Sequence, residues 1–240
     1  LITAALLIGI AKGGLSSAAS LAVPLLAVTM NPVQAAALVL PVLIVTDAAA
    51  LWLYRKDWSK RNTFILLPAM FAGIAIATLI VPFTPEPALL AFTGLVGLWA
   101  VWRRWFKSQP NEQRRAEILP GLVWGTIAGI TTFITHSGAP PTQAYLLPQN
   151  LNRFVFAGTM AVTFAIANFA KIPSYFALGF FDGLNWPLIA SLAAVGLAGT
   201  VIGRWLVKSM SDKVYMRVIE ILLLVLCTIL LWKAASDVFA

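Results

Sequence analysis

Four side chains able to carry charge or move a proton stand in stretches that otherwise read as hydrocarbon. Lys12 follows "LLIGIA" and precedes Gly13, Gly14 and Ser16; Asp47 lies in "LPVLIVTDAAALWLY"; His136, the only histidine, lies in "THSGAPPTQAYLLP"; Lys171 lies in "IANFAKIPSYF" with Asn168. A lysine in a bilayer costs roughly 2.5–3.5 kcal/mol on insertion scales, so it needs a partner, a wet cavity or a route to the headgroups. The chemistry this set suits is binding of an anion. The two glycines let the backbone open beside the Lys12 ammonium. Ser137, Gly138, Pro140 and Pro141 interrupt a helix beside an imidazole that takes up a proton near neutral pH. A helix restarting there would turn free N–H groups and its positive dipole end toward an anion.

The expected anion-binding residues are therefore Lys12, Gly13, Gly14, Ser16, His136, Ser137, Gly138, Gln143 and Asn168. Asp47, Arg153 and Lys171 are expected to serve coupling or gating. Each also has a plainer reading. Lys12 lies close to an interface if more chain precedes Leu1, and His136 can be a hydrogen-bonded core residue. Asp47 can be a neutral acid or an ion-pair partner of another helix. Lys171 is expected near the outer end of a span closed by Pro173, where it snorkels or draws anions into a vestibule. Arg153, beside "PQNLN", reads as an inner anchor or as lining of the inward mouth. The sequence has no P-loop, no dinucleotide-binding glycine motif, no HExxH and no cysteine–histidine metal set, so neither cofactor nor metal is expected. Cys227 reads as a small apolar side chain in a helix.

The elements that must position these residues follow from composition. Of the 240 residues, 60% are hydrophobic and 11% charged, with a mean hydropathy of +0.87. That apolar surplus exceeds what a soluble core absorbs. Apolar spans near 33–54, 63–82, 87–102, 117–135, 154–172, 186–206 and 215–234, with interrupted segments at 1–30 and 117–149, predict an all-α polytopic membrane protein. It would have about eight to ten spanning or partly spanning helices. Leu1 lies inside an apolar run, so the native start is expected upstream, and no basic stretch marks a signal peptide. The formal charge of +8 sits in loops: residues 55–61 carry +4 and −1, residues 103–117 carry +5 and −2, and residues 204–213 carry +3 and −1. Such loops suit the cytoplasmic side and anionic headgroups rather than nucleic acid. Most of the nine tryptophans fall near span ends, as interface anchors do.

With those loops inside, residues 1–30 enter and return on the outside while 117–149 enter and return on the cytoplasmic side. Each is followed by three spans. Two inverted repeats are predicted, at 1–105 and 117–234, joined by a basic linker at 106–116 and followed by a tail at 235–240. One half is expected to move against the other around a site at their interface. Gly125-x-x-x-Gly129 and Gly199-x-x-x-Gly203 permit close helix packing without specifying an oligomer.

The stretches "AKGGLSSAASLAVPLLAVTMNPVQAAALVLPVLIVTDAAALWLYRKDW" and "GITTFITHSGAPPTQAYLLPQNLNRFVFAGT" with "IANFAKIPSY" resemble the TauE/SafE family of exporters of sulfite, sulfonates and other organic anions. Lys12-Gly13, Pro24-Leu25-Leu26, Gln34-Ala35, Pro41, Asp47, His136-Ser137-Gly138 with Pro140-Pro141, Leu147-Pro148-Gln149, Asn168 and Lys171-Ile172-Pro173 carry the resemblance. Ala139 stands where the family often has glycine. The resemblance implies a secondary carrier of a small, sulfur-containing anion in a bacterial plasma membrane. Expected partners are an inorganic or organic anion, H+ or Na+ as coupling ion, and the lipid bilayer. A continuous anion pore, a structural membrane subunit, and a membrane-embedded enzyme with His136 and Asp47 as acid and base remain open alternatives.

Overall fold

In a bilayer each backbone amide must find its partner within its own segment, so an apolar chain of this composition has to be helical. The computed structural model describes residues 1–26, 32–80, 83, 85–106 and 115–239, and its regular elements are helices throughout these residues. The first half comprises α1 (Ile2–Lys12), a 3-10 turn (Ser16–Leu21), α2 (Ala22–Leu26), α3 (Pro32–Tyr54), α4 (Lys60–Ile80) and α5 (Glu86–Phe106). The second comprises α6 (Ile118–Thr135), α7 (Ala139–Leu146), a 3-10 turn (Leu147–Gln149), α8 (Arg153–Ala177), α9 (Trp186–Ser209) and α10 (Asp212–Phe239). Most of the linker expected at 106–116 lies outside the described residues, as does the side chain of Gln34. Residues 235–239 continue α10 rather than forming a separate tail.

Five helices are long and apolar enough to cross a membrane among the described residues: α3 from Ala35, α4, α8, α9, and α10 to Asp237. Trp52, Phe64, Leu79, Leu119, Phe176, Val201 and Trp232 point outward, while Lys12, Asp47, Asn168 and Lys171 are buried. Apolar outside and charged inside is the distribution of a protein solvated by lipid. Helix starts are set locally. The Asn152 carboxamide accepts from the amides of Phe154 and Val155, and that of Asn185 from Leu188, satisfying N–H groups that have no intrahelical partner. Pro173 does not end its span, contrary to the sequence expectation, because α8 runs through it to Ala177. Pro41 and Pro68 likewise sit inside α3 and α4. Neighbouring helices hold such segments helical despite one missing amide.

By contrast α1 does not run on into a long span: it ends at Lys12, where the chain breaks at Gly13 and Gly14. Helix α1 packs on α9, α6 on α4, α3 on α8 and α5 on α10; α3 also meets α9 and α8 meets α4, and the short segments after each break lie against α10 and α5. Exchanging α1–α5 for α6–α10 turns these pairings into one another. Two of the seams are closed by glycine. A Cβ on Gly9 would stand 1.9 Å from the Gly196 carbonyl oxygen and one on Gly13 2.5 Å from that of Thr200. Between α4 and α6, a Cβ on Gly73 would stand 2.2 Å from the Thr126 carbonyl oxygen and one on Gly129 2.3 Å from that of Met70. The small-residue patterns read in the sequence are thus used within the chain, where backbones approach closely.

Helices α3 and α8 run antiparallel. The Ser59 amide donates to Thr159 Oγ1 at 2.9 Å near one end, and Asn168 meets Asp47 further along. The basic segments share one face: Asp57 lies 3.8 Å from Arg204, Arg153 pairs with Asp212 at 2.8 Å, and Arg61 Nε donates to the Ala116 carbonyl at 3.0 Å.

Candidate anion site at two helix breaks

Helix α1 ends at Lys12, and Gly14 turns the chain with φ +136°, a conformation that side chains with a Cβ avoid. Helix α6 ends at Thr135, and His136 takes the left-handed conformation at φ 54°, ψ 20°. A β-carbon there is strained, so the imidazole is held where it is at some cost in backbone energy. Each broken helix frees carbonyls with no intrahelical donor. Tyrosines supply the donors: Tyr54 to Gly13, Tyr215 to Gly14 at 2.6 Å, and Tyr175 to Phe133 at 2.7 Å. The two interrupted helices present their C-terminal ends to the centre, the end that favours cations, which explains why Lys12 and His136 stand there.

Lys12 forms an ion pair with Asp47, which is fully buried on α3. Asn168 Nδ2 donates to the other carboxylate oxygen at 2.7 Å. On the opposite break Lys171 Nζ donates to the Thr132 carbonyl at 3.0 Å and lies 3.2 Å from its hydroxyl. It also meets His136 Nδ1 at 2.9 Å, while His136 Nε2 faces the Ala36 carbonyl at 3.0 Å. A nitrogen facing a carbonyl must bear the proton, so Nε2–H donates to Ala36. One hydrogen then lies between Nδ1 and Nζ, and the lysine–histidine pair carries at most one positive charge in this geometry. The two breaks are stitched together by Gln143, whose Nε2 donates to Ser16 Oγ at 3.0 Å and Ser17 Oγ at 2.9 Å. Ser17 Oγ lies 3.1 Å from Gln143 Oε1, and Ser20 Oγ reaches the His136 carbonyl at 3.5 Å.

Between the breaks lies a cavity of about 40 Å³, where about 10–15 Å³ suffices for one water. Its polar lining is Lys12, Ser16, Ser20, Thr132, His136 and Asn168, and its apolar lining includes Leu43, Met160 and Phe164. Room for a few waters is room for a small oxyanion. The lining sets the Lys12 ammonium and the neutral polar groups of Ser16, Ser20, Thr132 and Asn168 within apolar walls, which strengthen electrostatic attraction.

Of the residues expected from the sequence, Lys12, Ser16, His136 and Asn168 line this cavity. Asp47 stands behind Lys12, and Lys171 behind His136. Lys171 is entirely buried and does not snorkel or line an outer vestibule. Gly13 and Gly14 form the turn, and Ser137 is buried beside the second break. Gly138 is seated tightly, for its Cβ would come within 2.7 Å of the Phe164 ring. Gln143 is not among the lining residues, because its amide is committed to Ser16 and Ser17. Arg153 lies on the basic face with Asp212, away from the cavity. The restarted helix α7 also offers fewer donors than expected. Pro140 and Pro141 have no N–H, and the Thr142 amide already meets the Gly138 carbonyl at 3.3 Å. Thr132, Ser17, Ser20 and the three tyrosines went unread. A signal for two of them was present, since Tyr54 follows Asp47 by seven residues and Tyr175 follows Asn168 by seven.

A bundle of membrane-crossing helices with Lys12, Asp47, His136 and Lys171 turned inward around a small polar cavity defines a polytopic membrane protein. The chain belongs to the TauE/SafE family: the family model described as Sulfite exporter TauE/SafE matches residues 1–231. Comparison with curated proteins and with solved structures gives no match. Membership bears out the resemblance carried by the two break motifs, and the family's description supports anion transport as the activity.

Proposed function

We propose that the protein is a secondary transporter that carries a small, sulfur-containing anion, sulfite or a short sulfonate, out of a bacterial cell across the plasma membrane, coupled to a proton or sodium gradient. The observation carrying this reading is the buried cavity with Lys12 and His136 in its wall, backed by Asp47 and Lys171. Asp47 balances Lys12, so the charge offered to an anionic guest is that of the Lys171–His136 pair, one positive charge at most. The exchange symmetry of the helix pairings supports two inverted repeats, 1–105 and 117–234.

The same pairings argue for a different moving unit than the sequence halves. The glycine seams join α1 to α9 and α4 to α6, each across the halves. Rocking one half against the other would tear both. Motion of α1, α3 and α9 against α4, α6 and α8 keeps them and works instead at the α3–α8 seam beside the cavity. Purified protein in proteoliposomes tests the reading with sulfite, short sulfonates, sulfate and small carboxylates under separate proton and sodium gradients. Saturable sulfite or sulfonate counterflow, lost in Lys12→Ala with His136→Ala, is expected. Unchanged flux in that double variant, or large unitary currents typical of a pore, overturns it.

A further inference from the structure

We infer that Tyr54 and Tyr175 are the two gates of the cavity, one toward the basic face and one toward the opposite face, each linked by its hydroxyl to the break that carries a cationic residue. The inference rests on the transport reading above. Asp47 and Asn168 meet at the crossing of antiparallel α3 and α8. Seven residues, two helical turns or about 10.5 Å, carry each helix from that crossing to its tyrosine, in opposite directions because the helices are antiparallel.

The cavity is lined on α8 by residues from Met160 to Asn168. Tyr54 lies just before that stretch, with its hydroxyl at Gly14 beside Ala157 and its Cβ at Gly158. Arg204 is stacked over its ring at 4.4 Å. Tyr175 lies just beyond the stretch, edge-on to Phe133 at 5.3 Å and to Phe180 at 5.1 Å. Both rings are fully buried. Each therefore stands as an aromatic stopper between the polar chamber and one face.

The hydroxyls add the linkage. Tyr54 holds the carbonyl of Gly13, the residue next to Lys12, and Tyr175 holds that of Phe133, one turn before His136. A shift of Lys12 or His136 toward an anion pulls on the carbonyl and thereby on the ring. Two functions separate by substitution. Tyrosine to phenylalanine keeps the stopper and cuts the link; tyrosine to alanine removes the stopper.

The test places a reporter cysteine at cavity-lining Ala161 in a Cys227→Ala background, in oriented vesicles. Labelling by a membrane-impermeant thiol reagent is followed from each face, with and without sulfite. Tyr54→Ala is expected to raise the labelling rate at least about tenfold from the basic face only, and Tyr175→Ala from the opposite face only. Tyr54→Phe and Tyr175→Phe keep the unliganded rate but lose the change that sulfite induces in the parent. Labelling raised from the same face by both alanine variants, or a full sulfite response in both phenylalanine variants, overturns the inference. Because the alanine readout needs no substrate, a failed gate is distinguishable from a wrong substrate. If an alanine variant does not fold, its phenylalanine counterpart still decides the linkage.

Discussion

Lys12 and Asp47 form a buried ion pair, and its members are better replaced together than singly. Removing one charge leaves the other unpaired in a low-dielectric interior, which costs about 3–5 kcal/mol. Removing both leaves none. Lys12→Met alone is thus expected to lower the melting temperature in detergent markedly, and Lys12→Met with Asp47→Asn to recover most of the loss, while anion flux stays absent in both. A double variant that melts no higher than the single one would show that the pair contributes no such coupling. His136 permits a second separation, because its left-handed backbone favours glycine whereas its ring faces the cavity. His136→Gly should be more stable than His136→Ala by about 1–2 kcal/mol, although neither carries the imidazole and neither transports. Equal melting temperatures for the two would mean that the strain is relieved by local rearrangement.

At the scale of elements, the glycine seams decide how far the broken helices can reach inward. Gly13 and Gly73 occupy corresponding seams, and a Cβ on either meets backbone atoms within 2.5 Å. Backbone cannot yield as a flexible side chain does, so Gly13→Val and Gly73→Val are each expected to destabilise by more than the about 1–3 kcal/mol of ordinary overpacking. Gly94 makes the comparison, because its Cβ would first meet the Leu231 side chain at 2.7 Å. Gly94→Ala should express and purify nearly as the parent does, with monodispersity by size exclusion as the measure. Equivalent behaviour of all three variants would remove the seams from the account of folding.

For the whole molecule, the question is which helices move together. Thr63 on α4 and Thr163 on α8 bring their hydroxyls within 3.3 Å, both buried. They belong to different halves of the sequence but to the same packed set of α4, α6 and α8. A disulfide formed in Thr63→Cys with Thr163→Cys is expected to leave sulfite counterflow intact, with cross-linking checked by mass spectrometry. Flux that falls on oxidation and returns on reduction would favour motion of the sequence halves instead. Nearest-neighbour packing is what distinguishes these outcomes, and sequence order carries no trace of it.

Read alone, the sequence determined the solvent, the secondary structure and the places where helices break. Mean hydropathy demanded lipid, the spans predicted near 33–54, 63–82 and 186–206 became α3, α4 and α9, and Gly13-Gly14 and His136 to Pro141 mark the interruptions because glycine and proline act on the backbone locally. Pro173 misled for the same reason, since its local effect is outweighed by the neighbours that keep α8 helical through it. Partnership was beyond reach of any local rule. That Lys12 would find Asp47, that Lys171 would turn inward to His136, that Gln143 would join the breaks and not line the chamber, and that tyrosines would collect the freed carbonyls all depend on distances between residues remote in the chain. Only tertiary packing sets those distances, because a buried charge or carbonyl takes whichever partner the neighbouring helix brings within reach.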